Sequence, residues 1–262
     1  MIGFIGGGNM AEAIIKGIFV KHGGDIIVSE PVDKRRAYLE ETYHIKTTPD
    51  NKEVVRNCNI IILAVKPQNM DDVTAQIADV ISEDKIIVSI AAGITLSYLS
   101  SRLNTAKIIR VMPNTPALVQ EGMSVMSMCE CMHDKEIGLI KDIFMSVGIL
   151  ISLPEKYMDA VTALSGSGPA FIAYFIEAMI EGGIKTGLSK DNATELAVQT
   201  LLGTARLLDT GISPSKLREM VTSPKGTTAA GLKVFEEKGF KEGVIAAIEA
   251  ATNRARELGR KE

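Results

Sequence analysis

Along the first part of the chain, short runs of branched apolar residues alternate with charged stretches of helical spacing. Residues 2–5, 25–29, 59–65, 85–90 and 107–112 are dominated by Ile, Val and Leu. Such runs suit strands that are covered by helices on both faces. Between them, residues 12–19, 33–42 and 69–81 read as helices. The alternation predicts an α/β Rossmann fold, a doubly wound parallel sheet. Ligands of such sheets lie beyond the strand C-termini. That places candidate chemistry at Gly6-Gly7-Gly8, Ser29-Glu30, Ala64-Val65-Lys66-Pro67, Ile90-Ala91-Ala92-Gly93 and Met112-Pro113-Asn114-Thr115-Pro116.

After Pro154 the strand pattern stops and Ala, Leu, Glu and Lys take over. Ser189 is placed to cap a helix running to Leu208, with Gly211 beyond its end. Ser213-Pro214 opens another helix, Thr227 or Thr228 caps one through Phe235, and residues 241–258 form the last. Residues 159–180 are almost wholly apolar, too apolar for a solvated helix, and a partner subunit is their expected cover. The chain therefore divides into an α/β domain, 1–153, and an all-α C-terminal dimerisation domain, 154–262.

The first strand leads into Gly6-x-Gly8-x-x-Ala11, and helical spacing follows at once. Each small residue has a mechanical role. Gly6 permits the bend, Gly8 lets backbone approach a pyrophosphate, and Ala11 lets helix and strand pack closely. The helix N-terminus then offers unsatisfied N–H groups to the phosphates.

Composition narrows the function classes. A net charge of −3 over 262 residues gives no reason to expect nucleic acid or an anionic membrane. The longest uncharged runs are about 16–17 residues, short of the roughly 20 that a membrane helix needs. The apolar N-terminus lacks a basic leader and carries Glu12, unlike a signal peptide. Cys58, Cys129 and Cys131 are an odd set without framework spacing, which predicts free thiols and a cytoplasmic protein.

The helical region contains no histidine and no cysteine. It offers hydroxyls and glycines instead, in Ser165-Gly166-Ser167-Gly168-Pro169 and in Thr222-Ser223-Pro224-Lys225-Gly226-Thr227-Thr228. The second segment leads straight into a helix, so its N–H groups suit a small carboxylate, and a threonine hydroxyl beside them suits a substrate nitrogen. Reduction of an imine that arrives protonated fits a site without a strong acid.

These blocks resemble the Δ1-pyrroline-5-carboxylate reductase family over essentially the whole chain. The resemblance is carried by Gly3-Phe4-Ile5-Gly6-Gly7-Gly8-Asn9-Met10, Ala64-Val65-Lys66-Pro67, Ala91-Ala92-Gly93, Met112-Pro113-Asn114-Thr115-Pro116-Ala117, residues 159–170, and Ser223-Pro224 with Gly226-Thr227-Thr228. It implies reduction of 1-pyrroline-5-carboxylate to L-proline with NADPH or NADH. It also implies homodimers that intertwine through the helical domain and often assemble into decamers. By motif, Ile5, Gly6, Gly7, Gly8, Asn9 and Met10 would hold the pyrophosphate, and Ser29 and Asn51 the adenosine end. Ala64, Val65, Lys66 and Pro67 with Ile90, Ala91 and Ala92 would line the nicotinamide side. Thr228 would bond the ring nitrogen of the substrate, and backbone at Ser223, Gly226 and Thr227 would grip its carboxylate.

Lys225 departs from the family, which places glycine there. If that position needs a positive φ, lysine is disfavoured by about 1 kcal/mol or more; alternatively, Lys225 adds a cation near the substrate carboxylate. Glu30 follows the second strand, 22 residues after Gly8, where an acid usually binds a ribose 2′-OH. Lys34, Arg35 and Arg36 lie close by and could neutralise a 2′-phosphate, so both coenzymes are expected to serve. Cys129, Cys131 and His133 alternate as if on one strand face but lack a fourth ligand, and no metal is expected. Gly182-Gly183-Ile184-Lys185-Thr186 reads as a helix C-cap, not a phosphate loop. A β-hydroxyacid dehydrogenase would place a lysine and an asparagine after the Gly-x-Gly of the long helix, where residues 169–174 supply neither. A non-enzymatic NAD(P)-binding regulator would not need the hydroxyls at 223–228.

Overall fold

A computed structural model describes residues 1–22, 25–129 and 132–259. Eight strands form one sheet: β1 Ile2–Ile5, β2 Ile26–Ser29, β3 Lys46–Thr48, β4 Ile60–Leu63, β5 Ile86–Ser89, β6 Ile108–Met112, β7 Gly122–Met128 and β8 Gly148–Ser152. Their order is β3-β2-β1-β4-β5-β6-β7-β8. The pairs from β3 to β6 are parallel, as the apolar runs predict, and the order reverses direction between β1 and β4. The expected all-parallel sheet needs one correction, because β7 pairs with β6 antiparallel. The sequence pattern also passed over β3, β7 and β8.

Helices α1 Asn9–His22, α2 Asp33–Tyr43, α3 Asn51–Asn57, α4 Met70–Ile77, α5 Leu96–Arg102 and α6 Asp134–Met145 accompany the sheet. Two clusters of buried residues cover its faces, one around Phe4, Ile14, Ile62 and Phe144, the other around Ile61, Leu63, Ile77 and Leu99. Full burial of each such side chain stabilises by about 1.5–3 kcal/mol relative to exposure.

The remaining helices are α7 Met158–Val161, α8 Gly168–Lys185, α9 Lys190–Asp209, α10 Pro214–Met220, α11 Thr227–Glu237 and α12 Phe240–Gly259. By contacts the chain forms two compact units, residues 1–167 with 250–262, and residues 168–249. The two serine caps are present. Ser189 accepts from Asn192 N at 3.2 Å, Ser213 from Lys216 N at 3.2 Å, and Gly211 has φ 92°.

Other helix readings change. The apolar helix expected over 159–180 is interrupted by a π-turn at Thr162–Gly166, where Ser167 N donates to Thr162 O at 2.8 Å. Residues 182–186 do end α8, as expected, though Gly182 and Gly183 themselves lie inside the helix. The left-handed residue is Gly187, at φ 104°, and Leu188 N closes back on Gly183 O at 3.1 Å. Gly183 instead lets α9 approach, since a Cβ there would lie 3.0 Å from the Ala193 Cβ. Taken as a whole, Glu155–Lys185 is long and apolar enough to cross a membrane, contrary to the count of uncharged runs. Its charges are too sparse to lower the average.

Candidate active site

The phosphate turn is built by strand ends. Gly6 N donates to Ser29 O at 2.8 Å and Ala64 N to Ile5 O at 2.8 Å, so the ends of β1, β2 and β4 are pinned together. Gly6 has φ 97°, and a Cβ there would lie 2.8 Å from Ala64 O. Gly8 is exposed and nothing lies within 4 Å of where its Cβ would be. That clear space is what a phosphate approaching backbone requires. Asn9 and Met10 open α1, whose first N–H groups have no partner within the helix.

Ser29 and Asn51 come together, Ser29 Oγ donating to Asn51 Oδ1 at 2.6 Å. Asn51 Nδ2 in turn donates to Gln76 Oε1 at 2.8 Å. Ala64 and Val65 are half-buried and Lys66 and Pro67 exposed after β4, while Ile90 and Ala92 are half-buried and Ala91 buried after β5. All of these cofactor candidates stand at C-terminal strand ends on both sides of the reversal point between β1 and β4, where a dinucleotide fits.

Around them the sheet unit carries contacts that residue type alone did not reveal. Arg110 on β6 is 3% exposed and pairs with Glu155 at 3.3 Å. Glu155 Oε1 also accepts from Leu96 N at 2.8 Å, so it fastens the far end of the loop that begins at Ile90. In the same loop Gly93, at φ 79°, lies against Leu258 and Gly259. Asn114 bridges two of the sequence blocks, donating to Ser165 O at 3.3 Å and accepting from Met123 N at 2.8 Å. The π-turn is what delivers that Ser165 carbonyl.

Arg35 and Glu12 tie α2 to the turn. Arg35 Nε donates to Gly7 O at 2.6 Å and its Nη2 to Glu12 Oε2 at 2.6 Å. Tyr38 and Tyr43 donate to the other Glu12 oxygen at 2.8 and 2.9 Å. Burial pushes the Glu12 carboxyl upward, but these hydrogen bonds outweigh it and leave its pKa below the ordinary value. Arg35 is thus held by the turn and by α1 and is not free beside them.

In the helical unit, Gly226 N donates to Ser223 O at 3.0 Å and closes a turn into α11. The N-cap is Gly226, without a side-chain cap, and this corrects the assignment of that role to Thr227 or Thr228. Both threonines sit in the first turn, and the half-buried Thr228 hydroxyl makes no hydrogen bond among the described residues. Bare N–H groups beside a free hydroxyl suit a small carboxylate with a neighbouring nitrogen. Lys225 is exposed at φ 62°, the strained conformation that its replacement of glycine implied.

Cys58 is a free, buried thiol whose pKa burial pushes up to about 11. Cys129 is disulfide-bonded, against the free thiol expected. Cys131 lies outside the described residues. His133 does not share a strand face with Cys129: β7 ends at Met128, and His133 is the N-cap residue of α6.

Fold and turn together define a dinucleotide-binding oxidoreductase. Residues 155–258 match the family model for pyrroline-5-carboxylate reductase dimerisation, and residues 1–93 match that for coenzyme F420-dependent NADP oxidoreductases. A pyrroline-5-carboxylate reductase of Synechocystis is 42% identical, covering 99% of this chain and 98% of the relative. The solved reductase from Coxiella burnetii aligns with a TM-score of 0.91 at 37% identity, covering 99% of this chain and 98% of that one. The Plasmodium falciparum enzyme, solved with NADP bound, aligns at 0.89 and 33%, covering 98% of this chain and 97% of that one. This chain belongs to the pyrroline-5-carboxylate reductase family.

Proposed function

We propose that the protein reduces 1-pyrroline-5-carboxylate to L-proline with NADH or NADPH, as a cytoplasmic homodimer paired through residues 154–262 and able to build decamers. The observation that carries the reading is relatedness to reductases of this name over 99% of the chain. The reduced nicotinamide supplies a hydride to the C=N carbon when bound. The chain supplies placement and charge. Residues Ile5 to Met10 hold the pyrophosphate at the α1 N-terminus, and Ser29 and Asn51 hold the adenosine end. Residues 64–67 and 90–92 line the nicotinamide side, and the Glu155 contact to Leu96 N keeps the second of these loops in place. The substrate carboxylate is gripped at the turn of Ser223, Gly226 and Thr227 by the free N–H groups that open α11, since Gly226 N is already given to Ser223 O. Thr228 orients the ring nitrogen, which enters already protonated and so needs no acid from the protein.

The apolar Glu155–Lys185 stretch belongs, in this reading, against a second copy and not in a bilayer. Its support is the family model spanning 155–258 and the poverty of buried residues in helices α8 to α11. The test is coenzyme oxidation followed by absorbance with 1-pyrroline-5-carboxylate beside other cyclic imines. Oxidation with the five-membered substrate is expected, and none with any imine would defeat the enzyme reading.

A further inference from the structure

The end of β2 carries an acid whose position is fixed on both sides. Ser29 O takes the Gly6 N–H at 2.8 Å, and Glu30 N donates to Thr48 O at 3.0 Å. The Glu30 side chain then turns toward the phosphate turn. Its Oε2 accepts from Gly7 N at 2.9 Å and its Oε1 from Val32 N at 3.1 Å. Each oxygen keeps lone pairs that could accept from ribose hydroxyls. A 2′-phosphate brought to the same place would meet this carboxylate, half-buried and so only partly screened.

The cations that could offset that repulsion are already committed. Arg35 holds Gly7 O and Glu12, and Arg36 donates to Glu30 O at 2.7 Å and pairs with Asp33. Withdrawing Arg35 would unfasten the turn from α2 and take a donor from Glu12. Lys34 is exposed and forms no ion pair among the described residues. A single solvated lysine is a weak partner for a phosphate.

From this arrangement we infer that the protein selects NADH over NADPH, with Glu30 as the residue that sets the preference. The inference rests on the reductase reading only for the presence of a dinucleotide. Glu30 binds the ribose hydroxyls and rejects the 2′-phosphate, while Arg35 and Arg36 serve the fold of the turn.

The test is calorimetric titration of the full chain with ADP-ribose and with 2′-phospho-ADP-ribose. Wild-type protein binds ADP-ribose tighter by about tenfold or more, one misplaced charge being worth at least that factor. Glu30→Gln keeps an acceptor for Gly7 N and removes the charge, so the ratio moves by about tenfold toward the phosphorylated ligand. Equal or tighter wild-type binding of the phosphorylated ligand overturns the inference, and so does an unchanged ratio in a folded Glu30→Gln protein. The wild-type ratio decides alone if that variant does not fold. Preference for ADP-ribose without turnover of any imine would sink the reductase reading and leave this inference standing. Binding of neither ligand sinks both.

Discussion

The two units use apolar residues in opposite ways. Phe4, Ile14, Ile61 and Leu63 of the sheet unit are at most 0% exposed, whereas Tyr174 and Leu196 of the helical unit are 76% and 56% exposed. Within α8 only Ile176 is buried, and α10 and α11 bury no residue. The sheet unit closes its own core, because parallel strands crossed by helices bury both faces within one chain. The helical unit has the apolar content of a core without the second layer that would cover it. One chain completes the coenzyme half of the molecule, and the other half is patterned for a partner.

That contrast can be broken most severely by placing charge on the uncovered faces. Tyr174→Asp with Leu196→Asp is expected to abolish assembly, since a carboxylate buried at an interface without a partner costs far more than an exposed one. Sedimentation velocity should show monomers, and a variant that still assembles would place the interface elsewhere. A core truncation sharpens the comparison from the other side. Ile62→Ala should destabilise by about 2–5 kcal/mol in denaturant titrations, with no change in assembly.

Glu155→Ala should cost about 2–4 kcal/mol by leaving Arg110 buried without its carboxylate. Glu155→Gln, which still accepts from Leu96 N, should recover part of both stability and coenzyme affinity. Equal loss in the two variants would remove the loop-holding role. The smallest effect belongs to Lys225→Gly. Relief of its positive φ should raise stability by up to about 1 kcal/mol in thermal melts, while the substrate KM stays put.

Much of the sheet was legible because β1, β2, β4, β5 and β6 are branched apolar runs with few other conformations open to them. β7 was not, since its Gly-Met-Ser-Val-Met-Ser-Met sequence has weak strand preference and gains its place by pairing with β6. The glycine turn could be read residue by residue, as each small side chain answers a local constraint. Glu155 could not, because its partners lie 59 and 45 residues away and only the fold brings them to one carboxylate. Thr227 and Thr228 were misread as caps for a related reason. Backbone dihedrals choose the N-cap, and the extended residue there is Gly226. With Gly226 as the cap, the Thr228 hydroxyl stays free of a capping role.

The proposed chemistry depends most on Thr228. Steady-state kinetics of Thr228→Ala with 1-pyrroline-5-carboxylate, run beside direct titration of the coenzyme, test it most directly. Loss of one hydrogen bond to a charged nitrogen should lower kcat/KM by about ten- to hundredfold, with the coenzyme Kd unchanged. Turnover equal to wild type would remove Thr228 from the site and contradict the account.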